Sequence, residues 1–239
     1  MLTKATGWWN FTLTNDFDLD GDLDILVGNL GLNSRIKASH DHPVRLYVGD
    51  IDKNDRIDQI MTYYLNGEET LFANKSETEK QFPYIKKDFI LAKDFAKATI
   101  SELFGNDKLE TMRVLEASQF ANVLLENDGK GNFTVKPLPL KAQLSSMNSA
   151  QIIDANGDKL PDVLMAGNFY DCNIQMGRYD ADFGTVLINK GKGNFEALPL
   201  SIPVKGQVRR IAKVKIKNGD FALVFAKNDA AAQIFRRNL

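Results

Sequence analysis

Five aspartates within nine residues constrain this chain more than anything else in it. In the stretch from Asp16 to Asn29, DFDLDGDLDILVGN, Asp16, Asp18, Asp20 and Asp24 occupy positions 1, 3, 5 and 9 of a loop, with Gly21 at position 6 to allow a tight turn. Carboxylates this close repel one another unless a cation sits among them. Ca²⁺ suits such a set, because it takes about six to eight oxygen ligands in flexible geometry. The backbone carbonyl of Asp22 supplies position 7. An EF-hand would need flanking helices and a bidentate Glu at position 12, which here is Val27. The flanks WWNFTLTN and DILVGN are short aromatic or β-branched runs, so the pattern predicts a calcium loop between two strands.

The loop recurs. Asp50, Asp52, Asn54 and Asp58 repeat the spacing in DIDKNDRID, with Arg56 at position 7, and Asp154, Asn156, Asp158 and Asp162 repeat it in DANGDKLPD, with Leu160 at position 7. Position 6 is Asp55 in the second copy and Lys159 in the third, where the glycine, Gly157, falls at position 4. These two loops need a non-glycine residue in a strained turn conformation or a different turn, and weaker or less regular calcium sites are expected there.

A second repeat runs through the C-terminal half. NVLLENDGKGNFTVKPLPL from Asn122 and TVLINKGKGNFEALPL from Thr185 align Gly129 with Gly191, a period of 62 residues. Each copy reads as a strand, a glycine-rich turn and a second strand opening on Phe, which is a hairpin signature. Hairpins at such a period indicate a β-propeller or another repeat array.

The aspartate loops with their trailing DILVGN and DVLMAGN strands, together with the LLENDGKGNF hairpin, resemble the VCBS or FG-GAP repeats of integrin-like β-propellers. The likeness is closest to the large VCBS-repeat proteins common in Bacteroidetes and covers nearly the whole chain. The resemblance implies an all-β fold, a propeller or partial propeller of about four four-stranded antiparallel blades forming a single domain over residues 1–239, with Ca²⁺ in loops joining adjacent strands. It implies little about biological role, since a fold does not fix a function. The relatives are long exported proteins, so the expectation is the C-terminal portion of a larger extracellular, cell-surface or periplasmic protein.

Composition agrees. With 239 residues, 44% hydrophobic and 26% charged, the chain can bury a sizeable core, and its net charge of −1 gives no electrostatic case for nucleic acid or an anionic membrane. The single cysteine, Cys172, excludes an internal disulfide and reads as a small apolar filler. MLTKATGWWN lacks the apolar run of a signal peptide, and no transmembrane segment appears. At 62 residues per blade the chain holds fewer than four complete blades, and an open arc would leave sheet edges exposed for pairing, including with the rest of a larger propeller. The loops starting at Asp16 and Asp50 are 34 residues apart, which suggests an abbreviated first blade.

Four further stretches bear on function. His40 and His42 flank Asp41 in a polar loop and read as solvated residues rather than a transition-metal site. Residues 76–110 form a lysine-rich insertion in which Phe95, Ile100, Leu103 and Phe104 give one helical apolar face, stopped by Gly105-Asn106. The long connection 168–184 gathers Tyr170, Asp171, Arg178, Tyr179, Asp180 and Asp182, a composition suited to carbohydrate or peptide contact. The last stretch puts Lys215 and Lys217 where loop carboxylates would fall and is expected to bind no calcium. No Ser-His-Asp order, Walker loop or dinucleotide fingerprint is present. The leading expectation is a non-enzymatic calcium-binding module for adhesion, binding or assembly at the cell exterior, with a glycan or protein ligand. The alternative is a lyase-like carbohydrate-active enzyme.

Overall fold

Apolar and β-branched runs punctuated by Gly, Asn and Asp form strands wherever the sequence pattern calls for them. In the computed structural model, which describes residues 5–217 and 220–236, β1 (Phe11–Asn15) and β2 (Asp24–Gly28) are followed by β3 (Val44–Gly49), β4 (Asp58–Leu65) and β5 (Glu68–Leu71). Short helices α1 (Lys75–Gln81), α2 (Ile85–Asp88), α3 (Ala92–Lys97), α4 (Ile100–Phe104) and α5 (Asn106–Leu109) come next. The chain continues through β6 (Arg113–Ala117), β7 (Val123–Asn127), β8 (Phe133–Pro137), β9 (Met147–Ile153), β10 (Asp162–Gly167), β11 (Thr185–Asn189) and β12 (Phe195–Pro199). It ends with β13 (Gln207–Lys215), β14 (Phe221–Asn228) and β15 (Gln233–Arg236).

These strands make four open antiparallel sheets, ordered β1-β2-β7-β8, β9-β10-β11-β12, β13-β14-β15 and β5-β4-β3-β6. The fold is thus mostly β, as the sequence implies. The chain divides into two compact units: residues 8–35 with 120 onward hold the first three sheets, and residues 36–119 hold the fourth sheet and the helices. The first sheet is not abbreviated. It has four strands, because Ile25, Leu26 and Val27 of β2 pair with Leu125, Leu124 and Val123 of β7 across the whole intervening unit. The insertion is therefore wider than residues 76–110 and carries the second aspartate loop with it.

Alternation of side chains along a strand explains the packing in the larger unit. In β10, every residue of which is buried, Val163 and Met165 point into a core shared with Phe17, Leu26 and Leu124, while Leu164 and Ala166 point into another built with Val208, Ile211, Leu223 and Phe225. The second sheet is covered on both faces, hence the unbroken apolar DVLMAG and TVLIN. In the smaller unit Phe82, just after α1, and Ile85, Phe95, Ile100, Leu103 and Phe104 of the helices close over Ile51 and Ile60. The single helix expected around Phe95–Phe104 is two. Ala98 is extended (ψ 134°), and Thr99 starts α4 with a capping box, accepting from Glu102 N while the Glu102 carboxylate accepts from Thr99 N.

The three aspartate loops share one backbone path. Position 4 has positive φ in each (Leu19 67°, Lys53 59°, Gly157 83°), and so has position 6 (Gly21 99°, Asp55 62°, Lys159 70°). The second and third loops thus keep the turn of the first with non-glycine residues held in the left-handed region. A Cβ on Gly21 would meet no atom within 4 Å, so Gly21→Ala should destabilise through backbone strain alone, by about 1–2 kcal/mol. Asp55→Gly should not destabilise. Denaturant midpoints at unchanged m-values measure both.

Candidate functional site

The most buried carboxylate of each loop is its position-9 aspartate. Asp24 and Asp162 are 0% exposed and Asp58 is 5% exposed. A buried carboxylate needs donors, and each finds them in the same way. One oxygen accepts from the position-2 N–H: Phe17 N to Asp24 at 3.0 Å, Ile51 N to Asp58 at 3.2 Å and Ala155 N to Asp162 at 2.9 Å. The other reaches a neighbouring element: Asn127 N donates to Asp24 at 2.9 Å, Asn189 N to Asp162 at 2.7 Å, and Gln81 Nε2 to Asp58 at 3.0 Å.

The more exposed positions fold the loop around themselves by Asx turns. Asp16 accepts from Leu19 N, Asp20 N and Gly21 N at 2.7, 3.2 and 3.1 Å. Asp50 accepts from Asn54 N and Asp55 N at 3.0 and 2.8 Å, and Asp154 from Gly157 N at 2.7 Å. At position 5, Asp20, Asn54 and Asp158 each accept from the N–H two residues on, at 2.9, 2.9 and 2.8 Å. The outcome is three clusters in which one oxygen from each of three carboxylates lies within 4.8 Å of the others: Asp16, Asp18 and Asp24; Asp50, Asp52 and Asp58; Asp154, Asp158 and Asp162. Asp20 stands outside the first cluster, and Asn54 and Asn156 contribute amide oxygens instead of charges. Asp22, Arg56 and Leu160 each donate their position-7 N–H to position 5.

In the second loop Asp52 Oδ1 is shut off from solvent and has no hydrogen-bond partner. Leaving a buried carboxylate oxygen without a donor is costly, and a hard cation is the group that would satisfy it. Tyr84 lies close by, its hydroxyl pushed up to about 12 by burial first and by Asp52 and Asp58 next.

The long connection 168–184 is anchored where the sequence suggested a contact surface. Tyr179 is 5% exposed, shares its hydroxyl with Ser34 Oγ at 2.7 Å and pairs its backbone with Phe169. Asp182, 3% exposed, accepts from Gly167 N at 3.0 Å and Thr185 Oγ1 at 3.2 Å. Both are packing residues, which removes them from the ligand surface expected there. Tyr170, Asp171, Arg178 and Asp180 stay at the surface, with the Arg178 guanidinium 3.7 Å above the Tyr170 ring.

Elsewhere His40 and His42 are exposed, His42 leaning on the Tyr64 ring at 4.5 Å, and neither belongs to a metal-capable group among the described residues. Cys172 Sγ donates to Phe169 O at 3.1 Å, and burial pushes its thiol up. Residues 218–219, in the connection after Lys215 and Lys217, lie outside the described residues. Sequence reasoning missed the partners of the position-9 carboxylates, Asn127 and Asn189. Their one signal was recurrence at the 62-residue period.

Asp182 gives a pH test. Burial is the main cause that pushes its carboxyl up to about 6, against the pull of its hydrogen bonds to Gly167, Thr185 and Gly184. A carboxyl raised above its ordinary value contributes stability that is fully present below about pH 4 and is lost as pH rises through about 6. The stability difference between the native chain and Asp182→Asn should therefore shift against the native chain by roughly 2–3 kcal/mol from about pH 4 to 7. Paired denaturation curves across that range measure it. No protein-family model, curated protein or solved structure matches the chain, so its function rests on the chemistry of these loops.

Proposed function

We propose that the chain is a non-enzymatic calcium-binding module of the VCBS or FG-GAP type, serving binding, adhesion or assembly outside the cytoplasm. The observation that carries this reading is the threefold carboxylate cluster built on one backbone path, with the donorless buried Asp52 Oδ1 beside it. The donor set is all oxygen, with no thiolate or imidazole, which favours a hard cation over zinc or copper. Asp16, Asp18 and Asp24, Asp50, Asp52 and Asp58, and Asp154, Asp158 and Asp162 would hold the ions. Bound calcium supplies charge neutralisation rather than chemistry. Affinities of roughly 10⁻⁴–10⁻³ M, typical of extracellular modules, would fill such sites only where calcium is millimolar.

In the same reading the three sheets of the larger unit are successive blades of a propeller arc, part of a larger ring. Two observations support it. Each sheet runs in strand order from its first strand, and β9 lies against both β1 and β13, as the inner strands of neighbouring blades would. A glycan or protein is the ligand class this reading favours, at the exposed remainder of the 168–184 connection.

Calorimetry at millimolar calcium should show uptake by the folded protein, with Asp18→Ala and Asp52→Ala each lowering the stoichiometry by one ion. Calcium at about 100 times its dissociation constant should stabilise the fold by roughly 2.7 kcal/mol. A melting curve that chelator leaves unchanged, with no heat of uptake, would sink the proposal.

A further inference from the structure

Position 2 of each aspartate loop does more than donate its N–H. In the first loop that bond turns Phe17 into the space between the first and second sheets. There its ring is 0% exposed and stands edge-on to Phe195 at 5.7 Å and 71°, while its carbonyl accepts from Asn189 Nδ2 at 2.8 Å. In the second loop Ile51 is buried in the same manner, in the core of the smaller unit. The third loop repeats the backbone bond, Ala155 N to Asp162 Oδ2, but carries only a methyl group.

The consequence is a hole. Ala155 lines a cleft of about 570 Å³ between the second and third sheets, floored by Ile153, Val186, Ile188 and Leu200 and flanked by Lys213 and Phe221 of the third sheet. The two sheets meet further along, where Val208, Ile211, Leu223 and Phe225 pack against Leu164 and Ala166 and Phe225 stacks edge-on with Phe235 at 5.4 Å. The cleft lies in the volume range of small-molecule sites, and its lining sets the apolar Ile153, Val186, Ile188 and Leu200 beside a nearly equal share of polar surface that includes Asp154, Ser201 and Lys213.

We propose that this cleft binds a small amphipathic anion, an aryl carboxylate in chemical class, whose ring takes the place that Phe17 fills between the first two sheets. The charge assignment comes from Lys213. Its ammonium lies 4.3 Å from the centroid of the Phe221 ring, at the wall of the cleft, and forms no ion pair among the described residues. The one carboxylate at the rim, Asp154, is turned to its own loop and accepts from Gly157 N. A carboxylate at Lys213 Nζ would form a charge-assisted hydrogen bond while its ring lies on Val186, Ile188 and Leu200. This inference does not rest on calcium occupancy.

The probe is 2-naphthoate, titrated calorimetrically into the whole chain beside neutral 2-naphthalenemethanol and cationic 2-naphthylmethylammonium. Saturable 1:1 binding of the carboxylate is expected, weaker binding of the alcohol, and none of the cation. Ala155→Phe fills the cleft as Phe17 does and should weaken 2-naphthoate at least about tenfold without lowering the melting temperature. Lys213→Met keeps the apolar stem and should weaken 2-naphthoate about three- to tenfold while leaving the alcohol unchanged. The proposal is overturned if no saturable uptake occurs at millimolar 2-naphthoate, if the cation binds as well as the carboxylate, or if folded Ala155→Phe binds like the native chain. Should Ala155→Phe fail to fold, the Lys213→Met titrations decide: equal loss for carboxylate and alcohol, or loss for neither, overturns the assignment.

Discussion

A carboxylate with no access to water must be met by donors, and the three position-9 aspartates impose that demand on everything near them. Each takes one N–H from the start of its own loop and one from a neighbouring element, so a single side chain fixes both the curl of the loop and the place of that neighbour. Removing one would strand two donors, each costing about 1–3 kcal/mol when buried. The apolar strands around Asp24 and Asp162 could slide by two residues and still bury the same face. The carboxylate bonds to Asn127 and Asn189 do not permit it.

That fixed register explains why the first sheet tolerates an entire unit between β2 and β7. Loop-closure entropy grows only by about 0.6 kcal/mol per doubling of loop length, whereas the pairing of Ile25, Leu26 and Val27 with β7 and the Asp24–Asn127 bond are short-range and strong. The second sheet shows the undisturbed arrangement, with Asp162 and Asn189 bonded across a much shorter connection. The two sheets are the same construction, one of them interrupted.

Much of this was legible. The aspartate loops, the Gly-rich turns closed by Asp128 N to Asn132 O and Lys190 N to Asn194 O, and the strands beside them follow from turn chemistry and alternation. Partner choice was not, because alternation says which face a residue occupies and nothing about which strand lies alongside. The 34-residue spacing therefore pointed to a short blade where the chain has a four-stranded sheet interrupted by an entire unit. In the helical region a run of apolar residues at helical spacing hid the break at Thr99, whose hydroxyl and Glu102 restart the helix. Tyr179 and Asp182 show the remaining difficulty. Aromatic and acidic groups suit ligands and anchors alike, and only the partners supplied by Ser34, Gly167 and Thr185 decide between the two uses.

The loops also separate shape from charge. Asn54 makes the same position-5 turn as Asp20, each accepting from the residue two on at 2.9 Å. Asn156 does so at position 3, at 3.0 Å against 3.2 Å for Asp18. An amide oxygen therefore suffices for the turn. The loops nonetheless retain aspartate at positions 1 and 9 in all three copies, and at one or both of positions 3 and 5 in each. The backbone N–H groups alone give no reason for that surplus of carboxylate. A second lone pair on each oxygen remains beyond the turn bond. Charge in excess of what the turn requires, gathered at one point and left partly without donors as at Asp52, is the feature that loop geometry does not account for and that the proposed cation would.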